Sequence, residues 1–246
     1  MTALERLVAR AAARRDTAAG ERCDLCAEPI PDDHGGGHAH VLDERGDGLL
    51  CACRACALLF ERDAAGRDAE GRGHFRLVPG RRVRLPGVPV DGLGVPVGLA
   101  FFIRHDDAAA GDGDGEGDGG GSRVTAHYPS PAGATRCDVD PAAWAAAAER
   151  CEPLRSMAPE VEALLVHTGS AGAGAAGRGG LAEERWLVPI DDCYRLVAAV
   201  RRSWKGLSGG RDVWPEIGRF FADLAVRAGE GTGARAGEHP AEKGVT

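Results

Sequence analysis

Five cysteines near the start of the chain have the spacing of metal ligands. Cys23 and Cys26 form one C-x-x-C pair, Cys53 and Cys56 form a second, and Cys51 lies just before the second pair. Two such pairs offer four thiolates, and sulfur ligands select tetrahedral Zn²⁺ over cations that prefer oxygen. The sequence therefore predicts a structural zinc site at the four paired cysteines.

The residues around each pair predict how the ligands are held. The first pair is expected on a turn. The second pair runs into the apolar segment ALLF, which places it at a helix N-terminus, where free N–H groups and the helix dipole favour thiolate. A turn, a hairpin and a helix-borne second pair make up a treble-clef or zinc-ribbon-like module, with a small core predicted at Leu50, Leu58, Leu59 and Phe60. Removal of the metal should unfold such a module.

Three residues between the pairs leave further metal or redox chemistry open, namely Cys51, His38 and His40. Cys51 could replace Cys53 as a ligand, act as a redox thiol or pack, and packing is the preferred interpretation. The histidines lie in a segment rich in Gly and Asp, which favours solvated side chains. Two rival function classes follow: a redox or metal-transfer protein using Cys51 and Cys53, and an HNH-type nuclease using His38 or His40.

Iron and a hydrolytic metal ion fit the pattern less well than zinc. Rubredoxin-like iron sites usually have Gly after the second cysteine of each pair, where this chain has Ala27 and Ala57. HNH-type nucleases carry an Asn before the second pair and a His on the following helix, and this chain has neither. Zinc is the predicted cofactor and iron the alternative.

Composition and charge limit the cellular compartments and the binding partners that the protein is expected to have. The net charge of −7 over 246 residues argues against nucleic-acid binding, although eight arginines lie between Arg54 and Arg84. No apolar run is long enough to span a bilayer or to form a secretory signal. We therefore expect a cytoplasmic protein, where clustered cysteines bind metal more often than they form disulfides.

Low-complexity tracts and hydrophobic periodicity predict the domain organisation. The chain reads as an α+β protein in which the metal module precedes a domain with a mostly antiparallel sheet and C-terminal helices. The predicted segments are an amphipathic helix at 1–20, the zinc-binding module at 21–62, the α+β domain at 63–228 with flexible Gly-rich loops at 106–122 and 169–180, and a disordered tail at 229–246. Strands are expected at 74–78, 95–103, 123–128, 161–167 and 185–190, and helices at 56–62, 141–151, 191–204 and 212–226.

Other catalytic patterns in the chain have simpler explanations. The G-x-G-x-x-G run at 172–177 lacks room for the crossover helix of a dinucleotide site, and the G-x-S-x-G run at 206–210 follows a helix rather than a strand. His127, Cys193 and Asp192 could be drawn as a thiol triad, but Cys193 begins an apolar helix face. The sequence thus contains no convergent catalytic set.

Seven segments together resemble a family of actinobacterial proteins of unknown function, over about Arg22 to Leu224. They are CDLC, LLCACRACALLF, PVGLAFFIR, HYPSPAGATR, VEALLVH, WLVPIDDCYRLV and SWKGLSGGRDVW. Members of that family are often encoded near nickel-iron uptake hydrogenase genes. The resemblance implies an accessory role in hydrogenase assembly or function, and it implies no catalytic residue.

The combined prediction is a zinc-binding accessory or adaptor protein without a reaction of its own. Its expected partner is a protein, with hydrogenase subunits or maturation factors as candidates. The predicted partner surface combines the metal module with the loops 127–136 and 204–212. These loops carry Tyr128, Ser130, Pro131, Trp204 and Ser208.

Overall fold

The computed structural model describes residues 21–30, 38–46, 48–61, 74–90, 92–95, 98–105, 123–169, 182–206 and 212–233. The chain divides into two compact units between Val78 and Pro79. The helix predicted at 1–20 lies outside the described residues, as do nearly all of the two Gly-rich loops and the tail beyond 233. Within the described part of the chain, no helix has both the length and the apolar character needed to cross a membrane.

The first unit is built on a three-stranded antiparallel sheet. Its strands are β1 (Ala39–Asp43), β2 (Gly48–Ala52) and β3 (Phe75–Leu77), in the order β2-β1-β3. A one-turn helix, α1 (Arg54–Ala57), follows β2 and continues into a 3₁₀ turn at Leu58–Phe60. Because β3 pairs with β1, this unit extends beyond residue 62, where the sequence placed its end.

The core of the first unit differs from the predicted one. Cys23, Ile30, Val41 and Ala52 are buried together, and Phe60 is among the side chains that pack partly against them. Two of the leucines expected in this core lie outside it, since Leu58 is 54% and Leu59 60% exposed, and Leu50 is only partly buried. The reason is local: α1 has a single turn whose only buried residue is Ala57, and the tighter 3₁₀ turn that follows leaves both leucines exposed.

The second unit contains a six-stranded antiparallel sheet and four helices. The strand order is β4-β9-β8-β5-β6-β7. The strands are β4 (Val83–Arg84), β5 (Leu99–Arg104), β6 (Val124–Ser130), β7 (Gly133–Asp138), β8 (Glu162–His167) and β9 (Glu184–Pro189). The helices are α2 (Pro141–Glu149), α3 (Glu152–Arg155), α4 (Ile190–Ser203) and α5 (Val213–Gly233). This arrangement confirms the predicted antiparallel sheet and C-terminal helices.

Helices cover both faces of this sheet. On one face, Phe102 and Leu164 belong to a buried cluster with Trp144 of α2 and Leu154 of α3. Side chains alternate along a strand, so His167 of β8 lies on the other face. Its ring is 5.9 Å from that of Phe221 on α5, and α5 packs against α4. The second unit therefore has three layers, which explains why the central strand β8 is buried throughout.

Local signals account for where α2 begins, whereas the end of α5 differs from the prediction. The Asp140 carboxylate accepts the Ala142 N–H at 3.0 Å and Pro141 occupies the first turn, as expected of a helix start. α5 continues to Gly233, into the segment that was predicted to be a tail.

Buried carboxylates bind the arginines that precede β4 and explain the basic segment of the sequence. Glu162 accepts from Arg81 through both oxygens, at 2.9 and 2.7 Å. Asp192 is fully buried and accepts from Arg82 at 2.6 Å and from Arg227, while Arg195 lies 3.5 Å away. Arg81 and Arg82 are thus engaged in ion pairs with buried carboxylates.

Candidate metal centre

The first cysteine pair lies on a tight turn held by backbone hydrogen bonds. The Ala27 N–H donates to the Cys23 carbonyl at 2.8 Å, and the Cys23 N–H donates to the Glu28 carbonyl at 2.9 Å. Ala27 adopts the left-handed conformation with φ of 62°, which costs a residue with a Cβ about 1 kcal/mol. The turn thus has the shape that glycine usually provides in such knuckles, and Arg22 supports it by donating to the Ala27 carbonyl at 3.0 Å.

The second pair lies at the start of α1, as the sequence predicted. Cys53 is the residue before the helix, and its sulfur accepts the Cys56 N–H at 3.5 Å. The Ala57 N–H donates to the Cys53 carbonyl at 2.9 Å and closes the turn. The backbone therefore holds the Cys53 sulfur at the start of the helix, and Cys56 lies within the first turn.

The structure brings the four sulfurs together. The Sγ atoms of Cys23, Cys26, Cys53 and Cys56 lie within 4.8 Å of one another, and Cys26 and Cys53 are 3.7 Å apart. Four sulfur donors in such a cluster match the ligand set of a closed tetrahedral zinc or iron site. These residues could therefore hold one metal ion.

The acid–base properties of the cluster show why a cation suits it. Burial raises the pKa of the Cys23 thiol, but N–H groups of Cys53, Cys26 and Leu25 outweigh burial and lower that pKa to about 6. The pKa of Cys56 is raised to about 12, chiefly by its hydrogen bonds with Cys26 and Cys53. Thiolates this close together repel one another, and a bound cation would offset that repulsion.

Residues 22–228 match a family described as a family of unknown function, DUF5947. The chain belongs to this family. The match includes both cysteine pairs and most of the two units. Comparison with curated proteins found no match, and comparison with solved structures found none either.

A second group of candidate ligands lies within the same DUF5947 region. The ligand atoms of His38, His40 and Cys51 come within 4.8 Å of one another. The sequence favoured packing for Cys51 and solvated side chains for the histidines. Cys51 does pack partly against the core of the first unit, and it lies directly opposite His40 in the β1–β2 hairpin. The His38 side chain, by contrast, is only 1% exposed rather than solvated.

The chemistry of Cys51 bears on the redox alternative. A reactive thiol needs a lowered pKa, because the thiolate is the nucleophile. Burial raises the pKa of Cys51, and the carboxylates of Glu21 and Asp24 add to the effect. This environment favours a protonated thiol unless a cation is bound nearby.

The thiol triad set aside in the sequence is also absent from the described structure. Cys193 is fully buried, and burial raises its pKa well above the usual value. Asp192 is committed to its arginines, and His127 instead bonds the hydroxyl of Thr125 at 3.0 Å. Core packing of Cys193 is therefore the correct interpretation.

A partly buried polar chain on the sheet of the DUF5947 domain was not predicted from the sequence. Glu160 bonds His105 Nδ1 at 2.9 Å, and His105 Nε2 bonds the Thr125 hydroxyl at 2.7 Å. His127 completes the chain on the other side of Thr125. The order carboxylate, imidazole and hydroxyl resembles a hydrolase triad, but Thr125 is completely buried, so no substrate can reach its oxygen. The sequence offered one signal for this polar chain: Thr125 and His127 are two positions apart on one strand, which places both side chains on the same face.

The polar chain predicts a pH dependence. Burial, with His105 and Arg136 nearby, lowers the pKa of His127 to about 4, so the folded protein keeps this ring neutral while the unfolded chain protonates it near 6.5. The contribution to stability is complete above pH 6.5 and is lost as the pH falls towards 4. When the pH is lowered from 7 to 4.5, the free energy of unfolding should fall in wild type. In His127→Gln it should fall by about 1–2 kcal/mol less, allowing for solvent screening.

Urea denaturation followed by tryptophan fluorescence measures this effect, because all four tryptophans lie in the second unit. A His74→Gln variant, altered in the first unit, should keep the full pH dependence. An equal dependence in wild type and His127→Gln would show that His127 does not contribute.

The predicted partner surface is divided by the fold. Tyr128 packs against the cluster on the α2 face and donates to the Gly94 carbonyl at 2.6 Å, and Ser130 and Pro131 lie at the β6–β7 turn. Trp204 ends α4, which packs on the opposite face, and Ser208 lies outside the described residues. Tyr128 and Trp204 therefore attach to different faces of the sheet, and a single groove formed by both is not supported.

Proposed function

We propose that this DUF5947 protein is a zinc-binding accessory or adaptor protein without catalysis of its own. Zinc at Cys23, Cys26, Cys53 and Cys56 holds the first unit in a treble-clef arrangement. The protein acts in the cytoplasm and supports the assembly or function of a nickel-iron hydrogenase, with a hydrogenase subunit or maturation factor as its partner.

The convergence of four sulfurs carries this proposal. A sulfur-only set with all four positions filled by protein leaves no place for a substrate, which is the feature of a structural site. The core of the first unit is small, so metal binding supplies stability that its few buried side chains cannot. These features favour a structural role for zinc over a catalytic one.

Exposed leucines beside the metal cysteines support an interaction role. Leu58 and Leu59 follow α1 and are more than half exposed, and Leu25, next to Cys26, is 38% exposed. Large apolar side chains held outside the core by a rigid metal centre are suited to burial by another protein. We place the partner surface here rather than at Tyr128 and Trp204.

A metal-transfer function is the second candidate, and the cluster of His38, His40 and Cys51 favours it. Three ligands leave a coordination position through which an ion could be exchanged. An HNH-like nuclease using His38 or His40 is less well supported, because the cluster pairs these histidines with a thiol rather than with the Asn and His of that pattern.

The adaptor role is tested by affinity capture with the full-length protein from cells that express the hydrogenase. Wild type should enrich hydrogenase subunits or maturation factors, and Leu58→Glu should abolish that enrichment, since burying an unpaired charge at an interface is costly. Val226→Glu, at a site 61% exposed on α5, is the matched control and should retain the partner. Equal capture of these proteins by wild type and Leu58→Glu would refute the proposed surface, and no enrichment by wild type would refute the hydrogenase role.

A further inference from the structure

The β1–β2 hairpin carries a ligand set that is separate from the four-cysteine centre. His38, His40 and Cys51 offer two imidazole nitrogens and one sulfur within 4.8 Å of one another. We infer that these residues form a second metal centre, with three protein ligands, for a borderline-soft divalent cation such as Zn²⁺.

The strand register explains why His40 and Cys51 meet. They are direct partners across the hairpin. The His40 carbonyl accepts the Val78 N–H at 2.9 Å, and the Cys51 carbonyl accepts the Asp24 N–H at 2.8 Å. Neither carbonyl therefore takes part in the hydrogen bonds between β1 and β2. In an antiparallel ladder this is the pair without mutual hydrogen bonds, whose side chains approach most closely.

Asp24 fixes the cysteine further. Its carboxylate accepts the Cys51 N–H at 2.6 Å, so both backbone groups of Cys51 are bonded to Asp24. The ligand is thereby tied to the first knuckle as well as to β1. A ligand held by backbone hydrogen bonds needs little reorganisation to bind an ion.

His38 joins the same face of the hairpin. It precedes His40 by two residues, and its ring packs edge-on against that ring, with centroids 4.9 Å apart and planes at 79°. The His38 side chain is nearly inaccessible, and the Glu21 carboxylate lies 3.9 Å from its Nε2. At this distance the carboxylate adds negative charge beside the three ligands, which favours a bound cation.

The ligand types define the ion and the strength of binding. Imidazole and thiolate together suit Zn²⁺ and its neighbours, whereas Mg²⁺ and Ca²⁺ require oxygen. Three protein ligands leave a fourth position for water or for a donor from another molecule. This centre should therefore bind its ion less tightly than the four-cysteine centre and exchange it more readily. The inference stands without the adaptor role, because it requires no partner.

The test is a Zn²⁺ titration of the full-length protein, in competition with a chromophoric chelator, with stoichiometry read by native mass spectrometry. Wild type should bind a first equivalent tightly and a second more weakly. Cys51→Ser and His40→Gln should each weaken the second step by at least about 10-fold and keep the first, because loss of a ligand should cost no less than the 10–100-fold loss of an outer-shell partner. His74→Gln and Cys137→Ser change the same residue types outside the cluster and should keep both steps.

Retention of the first equivalent shows that a variant has folded. If Cys51→Ser loses both ions, His40→Gln decides which residues bind the second. Wild type that binds a single equivalent would overturn the inference whatever the variants do, as would a second step unchanged in both ligand variants.

Discussion

Replacing Cys23 or Cys56 with serine is expected to release the metal and unfold the first unit. A structural zinc site of this type supplies about 10 kcal/mol or more of folding free energy, which exceeds what the small core around Cys23, Ile30 and Val41 can offset. Hydrogen exchange of the β1 and β2 amides, measured by mass spectrometry, should change from protected in wild type to unprotected in either variant.

Cys137→Ser is the control for removing a cysteine. Cys137 lies exposed on β7 of the second unit and is not one of the clustered cysteines, so its variant should keep the metal and the protection of β1 and β2. Tryptophan fluorescence reports separately whether the second unit stays folded. Protected β1 and β2 amides in Cys23→Ser and Cys56→Ser would mean that the first unit does not depend on a metal.

The second large effect is expected at Asp192. This carboxylate is completely buried and neutralises Arg82 and Arg227, with Arg195 close by. Asp192→Ala leaves these guanidinium groups in a poorly hydrated place without their counter-charge. Removing one partner of a buried ion pair typically costs about 3–5 kcal/mol, and a triple contact should reach the upper part of that range.

Urea denaturation followed by tryptophan fluorescence measures the loss in the second unit. Asp223→Ala removes an exposed carboxylate from α5 and should change the free energy of unfolding by no more than about 0.5 kcal/mol. If Asp192→Ala lowers the free energy of unfolding by less than about 1 kcal/mol, water rather than Asp192 stabilises the charges of the arginines.

Elements with strong local signals could be predicted from the sequence. Asp140 followed by Pro141 marked the start of α2, and the apolar runs around Phe101 and Leu164 marked β5 and β8. The four-cysteine site followed from spacing alone, because each C-x-x-C pair needs only a tight turn to present two sulfurs.

The elements that were missed owe their form to pairing with other strands rather than to a local hydrophobic pattern. β7 is an exposed edge strand that forms a tight hairpin with β6, and β4 has two residues that become a strand only by pairing with the distant strand β9. The boundary of the first unit was wrong for the same reason, since the short strand β3 joins it by pairing with β1. No local pattern distinguishes such segments from loops.

The cluster of His38, His40 and Cys51 could not be predicted from the sequence for a related reason. His38 and His40 lie among Gly and Asp residues that suggested a solvated loop. Their approach to Cys51 depends on the register that pairs His40 with Cys51, and a shift by one residue would send the side chains to opposite faces. The sequence named the three residues but could not show that they meet.

The central claim is the metal centre formed by two cysteine pairs, and elemental analysis tests it most directly. Untagged full-length protein is dialysed against a chelator that removes weakly bound ions and is then compared with Cys56→Ser and Cys137→Ser. Wild type and Cys137→Ser should retain about one zinc ion per chain, and Cys56→Ser should retain none. Iron, recognised by its visible absorption, would mean that the centre is a redox site rather than a zinc site. Wild-type protein without any metal would contradict the account.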